Sequence, residues 1–98
     1  MGGLINSQKL YPFMYKGTAG DLDALKDESG FWTVVNGKTT NLPNNTYPYG
    51  IIEVVKAEPY VIQRYFPISV GSYSRFGMLT RFYSESGWIG WYYIPYQI

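Results

Sequence analysis

The chain has neither cysteine nor histidine. That removes disulfides, thiolate nucleophiles, Cys- or His-ligated zinc and iron-sulfur sites, and the usual near-neutral general base. Charge is scarce as well, at 15% Asp, Glu, Lys and Arg with a net charge of +1. A nucleic-acid binder usually carries a basic field strong enough to draw in phosphates, so DNA and RNA are not expected partners. No apolar run reaches the ~18 residues of a membrane helix, so no membrane insertion is expected, and Met1-Gly2-Gly3 does not open like a signal peptide. Ninety-eight residues fit one domain with one core.

Aromatic side chains are abundant, at 19% of the chain with eleven Tyr and three Trp. A single small core does not absorb them all, and Tyr, with an apolar ring and a polar hydroxyl, is favoured on recognition surfaces.

Residues 1–18 read as a lead-in segment and 19–98 as one knob-like β domain. Thr18-Ala19-Gly20-Asp21 has the spacing of a capping box, and Leu22 and Leu25 stand three apart. This predicts a short helix from Asp21 to Glu28, ended by Gly30. Five strand runs follow, beginning with Phe31–Val35 and Ile51–Val55. Tyr60–Phe66 is the third, a fourth runs through Tyr73–Tyr83 broken at Gly77, and a last opens at Gly87. Asn36-Gly37 gives the strongest hairpin signal. The fold class expected is all-β and mainly antiparallel, a small sandwich or partly open barrel of about five strands. Its core is expected to hold Trp32, Val34, Ile52, Val54, Ile62, Phe82 and Trp88.

Catalysis finds no foothold. Asp21, Asp23, Asp27 and Glu28 form the one acidic cluster, but a helix start keeps them solvated and does not pair two carboxylates across a cleft. Asp21-x-Asp23 begins like a calcium loop, yet Leu25 and Lys26 hold the next two diagnostic positions. No metal, cofactor or enzymatic activity is expected. Asn44-Asn45-Thr46 matches a glycosylation acceptor but is equally what a turn requires.

Recognition has better candidates. Strand alternation groups Tyr73, Arg75, Leu79, Arg81 and Tyr83 on one face as an amphipathic ladder, with Phe76, Met78 and Phe82 on the core side. Trp88 and Trp91 stand three apart and share a face only if a bulge at Gly90 brings them together. Of Tyr92 and Tyr93, alternation leaves one exposed. Tyr47 and Tyr49 flank Pro48 in a loop, where recognition residues concentrate. The candidate ligand-binding set is Tyr47, Tyr49, Arg75, Tyr83 and Tyr93, its members assumed to be neighbours. The competing reading packs Tyr47-Pro48-Tyr49 down as a hydrophobic lid.

The ordered series Asp21-Leu22-Asp23-Ala24-Leu25, Gly30-Phe31-Trp32-Thr33-Val34, Asn41-Leu42-Pro43, Gly50-Ile51-Ile52-Glu53-Val54, Ile62-Gln63-Arg64-Tyr65-Phe66, Thr80-Arg81-Phe82 and Trp88-Ile89-Gly90-Trp91 resembles the pyocin-knob type of domain of phage tail fibres. The likeness spans about Gly20 to Ile94 and carries no catalytic signature. It implies the head of a homotrimeric fibre that touches a bacterial surface glycan during host adsorption, located at the tail-fibre tip of a virion or phage-tail-like particle. The chain has no shaft of β-repeats or heptads, so it is expected to be a head or a piece of a longer fibre. Two alternatives stand beside this: a structural virion trimerisation module without a ligand, and a carbohydrate-binding module of a cell-wall enzyme.

Overall fold

A computed structural model describes residues 14–96. The fold is a six-stranded open sheet whose spatial order follows chain order: β1 (Tyr15–Thr18), β2 (Gly30–Val34), β3 (Gly50–Ala57), β4 (Tyr60–Pro67), β5 (Gly77–Ser84) and β6 (Gly87–Pro95). The pair β1–β2 is parallel and the other four are antiparallel. The β-rich, partly open architecture matches the sequence reading.

Several particulars differ. Residues 15–18, assigned to a lead-in segment, are the first strand of the sheet. The helix expected over 21–28 is reduced to one 3-10 turn, Leu22–Ala24. Asp21 caps it, and Leu25 leaves helical geometry at φ −83°, ψ 75°. Asn36-Gly37 does make a tight turn, with Lys38 and Thr39 donating to the Val35 carbonyl, but no strand follows it directly. The antiparallel partner of β2 is β3, fifteen residues along the chain.

Pairing register assigns every strand residue to one of two faces. Ile52 lies opposite both Trp32 and Tyr65, Val54 opposite Gln63, Gln63 opposite Arg81, and Tyr65 opposite Leu79. These residues make the front face. It is covered by the chain that runs through Ala19, Leu22 and Leu25 and returns through Leu42, and the core lies between sheet and cover. Trp32, Val34, Ile52 and Val54 are buried as expected.

Phe82 is not buried. It is 42% exposed and pairs with Ile62 and Ile89 on the back face, while Leu79 and Arg81 turn into the core. The face expected to be an amphipathic ladder is therefore the core face. Ile62 and Trp88 are half-buried. The inversion has a physical cause: the cover brings the Asp23 carboxylate to Arg81 while the flanking strands supply Gln63 and two indoles, so the core accepts a charge and leaves Phe82 outside.

Candidate functional site

Arg81 is a buried cation of the front face, at 5% exposure. Its Nε donates to Gln63 Oε1 at 2.9 Å and its Nη1 to Asp23 Oδ1 at 2.7 Å. Gln63 Nε2 donates in turn to the carbonyls of Leu22 and Leu25, each at 2.8 Å. The guanidinium lies over Trp88 at 3.9 Å and Trp91 at 4.4 Å from the ring centroids. Both indoles reach it because Trp91 is an extra residue in β6: Thr80 pairs with Tyr92 and Arg81 with Gly90. This is the bulge expected from Gly90, whose φ of +124° suits glycine. Trp88 Nε1 donates to the Asp23 carbonyl at 3.2 Å. Burial pulls the Arg81 pKa down, and the Asp23 carboxylate opposes that pull. The cluster pins the cover to the sheet and is structural; Asp23, read from the sequence as a solvated helix-start residue, is the partner of a buried cation.

Asp21 fixes the same turn from outside. Its Oδ1 accepts from Asn41 Nδ2 at 2.6 Å and from the Asp23 backbone N–H at 2.9 Å. The Asn41 hydrogen bond, then the Asp23 one, lowers its pKa below the ordinary 3.8. A carboxylate whose folded pKa is depressed contributes stability above its unfolded pKa and loses it as pH falls through the folded value. Asn41 sits at φ +62°, so Asn41→Gly removes the amide without straining the turn. The variant is expected to raise the Asp21 pKa toward 3.8, read by NMR titration, and to move acid unfolding to higher pH.

The five residues singled out from the sequence fall at two ends of the sheet. In an up-and-down meander the β2–β3 and β4–β5 connections lie at one end with the end of β6, and the β3–β4 and β5–β6 turns at the other. Tyr47, Tyr49 and Arg75 are in the first two connections, and Tyr93 is near the end of β6. Tyr83, near the end of β5, lies at the opposite end, roughly 20 Å along the strand from Gly77. There its ring packs 5.1 Å from Trp88, under the Lys26 ammonium at 5.6 Å. Four of the five are thus gathered and Tyr83 is not.

The gathered end is an aromatic rim. The rings of Tyr47 and Tyr49 are 5.6 Å apart, and Tyr73 meets Tyr47 edge-on at 6.4 Å. The Arg75 guanidinium lies 5.5 Å over the Tyr93 ring. Tyr49 is 39% and Tyr73 40% exposed. Tyr47 is half-buried: its ring occupies the space a Cβ on Gly71 would need, and its carbonyl accepts from the Tyr65 hydroxyl at 2.6 Å. The two connections are joined by a bridge between Thr46 and Arg75. Tyr93 Oη accepts from the Phe76 N–H at 2.8 Å and donates to the Phe76 carbonyl at 3.1 Å, so it anchors the β4–β5 connection. Tyr47 therefore packs down as the lid reading expects, whereas Tyr49 stays exposed. Sequence reasoning left Tyr73 out of the set, although it follows the Gly71-Ser72 turn; the meander order alone places that turn beside Tyr47.

Among the described residues no group of three acidic side chains could hold a metal ion, and no helix is long and apolar enough to cross a membrane. In comparisons with protein-family models, curated proteins and solved structures, the chain matches none.

Proposed function

We propose that this chain is a non-catalytic binding domain whose aromatic rim takes a saccharide of a bacterial envelope, as the homotrimeric head of a phage tail fibre of the pyocin-knob type. One observation carries the reading: Tyr49 and Tyr73 both pack on Tyr47 and stay partly exposed, on two connections that the Thr46–Arg75 bridge joins. Sugar rings offer flat C–H faces that pack on aromatic rings, and their hydroxyls accept from guanidinium and pair with tyrosine hydroxyls. The rim holds these groups on a rigid scaffold, which lowers the ordering cost of binding. The resemblance noted in the sequence supplies the bacterial envelope, the tail-fibre tip and the trimer.

A glycan array and a whole-cell pull-down test this with the double variant Tyr49→Ala, Tyr73→Ala. Both side chains are exposed, so the melting temperature is expected to stay within a few degrees while binding falls more than ten-fold. Native-like binding by the variant, or no binding by the native chain, would overturn the reading. A second reading, a structural virion module without a ligand, is favoured by a different observation: among the described residues nothing covers the apolar back of the sheet.

A further inference from the structure

The front of the sheet is covered by the segments on either side of β2, through Ala19, Leu22, Leu25 and Leu42, whereas among the described residues nothing covers the back. Register places Ile51 of β3, Phe82 of β5 and Ile89, Tyr92 and Ile94 of β6 on that back face, all between 42% and 51% exposed, with Tyr15 of β1 at 58%. Phe82 and Tyr92 pack at 6.1 Å, and Tyr15 and Phe31 at 6.0 Å, so the apolar surface runs from one edge strand to the other. Ile62, Phe82 and Ile89 extend it into a cleft of about 230 Å³ beside the β3–β4 turn.

We propose that this back face is where copies of the chain meet. Its size is the first argument. Taking whole aromatic side chains at about 150–250 Å² and isoleucines at the lower end, the five residues from Ile51 to Ile94 together with Tyr15 expose on the order of 500 Å². Half-buried Val55, Ile62, Phe66 and Met78 raise the patch to ~700 Å², above the ~300–600 Å² of the largest patch on a typical monomer. A stable protein complex covers about 800 Å² per partner, so the patch is the right size for one subunit's share of an interface. Charge is the second argument. The charged side chains on this face are Glu53 and Arg64, paired with each other at 3.0 Å, so a second copy would meet an already neutralised pair and an otherwise apolar field. The edge strand β6, Gly87–Pro95, has no charged side chain either, which makes edge-to-edge pairing the rival arrangement that the test must separate from the back face. The proposal rests on the reading above only for its expectation that the chain self-associates, and it adds which surface does so.

Light scattering coupled to size exclusion, run on the full chain over a concentration series, is expected to give a mass two or three times 11.2 kDa. The double variant Ile51→Lys, Phe82→Lys is expected to weaken association at least ten-fold and run at 11.2 kDa, with unchanged circular dichroism. Both positions are exposed on interior strands, so the variant spares the β6 edge. Association that survives it overturns the proposal and points to edge-to-edge pairing. A native chain that stays at 11.2 kDa at 100-fold dilution and at the highest concentration alike also overturns it. Weak binding of an apolar dye by that monomer would then indicate that residues 1–13 cover the face, and strong binding that another protein does. Glycan binding is read separately: an associating chain that binds no glycan sinks the rim and spares the face, and a glycan-binding monomer does the reverse.

Discussion

Arg81→Ala is expected to destabilise the domain by about 3–5 kcal/mol, because it breaks a buried charged cluster from its centre. The substitution leaves Gln63 Oε1 without its donor in a residue that is fully buried. It also empties the space over Trp88 and Trp91, so a packing loss adds to the polar one. A domain of this size has a total stability of roughly 5–15 kcal/mol, and each kcal/mol moves the melting temperature by ~4–8 °C. The expected drop is therefore 12 °C or more on the ~4 °C per kcal/mol scale.

Two further variants separate the contributions. Arg81→Met keeps the volume between the indoles and removes the donors, so its cost, about 1–3 kcal/mol, reports the unpaired Gln63 oxygen. Asp23→Ala leaves Arg81 Nη1 unpaired beside Nη2, which is buried and has no hydrogen-bond partner among the described residues. Asp23 is 45% exposed at its side chain, so its own loss is screened and the cost of about 1–3 kcal/mol falls on the arginine. Chemical denaturation of the three variants measures the series. A loss under about 1 kcal/mol for Arg81→Ala would mean that packing of Leu22 and Ile52 alone holds the cover, as surface-like substitutions cost no more than this.

The same cluster shows where sequence reading stops. The strands were legible because Phe31–Val34, Ile51–Val55, Tyr60–Phe66 and Met78–Tyr83 are runs of β-branched and aromatic residues set between turns. The bulge at Gly90 was legible because two tryptophans three apart need one to share a face. β1 was not, since Tyr15-Lys16-Gly17-Thr18 has no strand composition of its own and is a strand by virtue of pairing with β2. The faces of β5 were assigned by polarity, and polarity misleads when a partner compensates: nothing local to Arg81 reveals that Asp23, 58 residues earlier, waits above it. The helix over 21–28 fails for the same reason, because Gln63 holds the Leu22 and Leu25 carbonyls and Lys56 Nζ that of Lys26, so side chains of the sheet fix this backbone in place of an extended helix. In the candidate rim, Tyr47, Tyr49, Arg75 and Tyr93 are legible one at a time, from loop position or strand alternation, and only the order of the strands shows that Tyr73 belongs with them and Tyr83 does not.

Gly77→Ala, and in parallel Gly50→Ala, are expected to cost about 2–3 kcal/mol each by forcing atoms into a space the backbone already fills. The two glycines hold equivalent places. Gly50 opens β3 opposite Pro67 at the end of β4, and Gly77 opens β5 opposite Pro95 at the end of β6. A Cβ on Gly77 would run into the Ile94 carbonyl and come within 2.7 Å of the Pro95 Cα. On Gly50 it would meet the Phe66 carbonyl, the Pro67 Cα at 2.9 Å and the Tyr65 ring at 2.9 Å. Backbone atoms on the partner strand cannot step aside as a flexible side chain can, so relief requires opening the last pair of each ladder. That opening reaches the rim, because Ile68 N–H donates to the Tyr49 carbonyl just beyond Gly50, and Tyr96 N–H to the Phe76 carbonyl just beyond Gly77. Each variant is therefore expected to lose the proposed saccharide binding along with stability, at temperatures where circular dichroism still reports a folded sheet. Gly20→Ala is the control: its Cβ would meet nothing within 4 Å, and its expected effect is within about 0.5 kcal/mol. Urea denaturation at 25 °C compares the three, and a Gly77→Ala chain as stable as the Gly20→Ala chain would show that the strand ends are loose enough to absorb a methyl group, leaving the rim without the rigid support that its proposed recognition role requires.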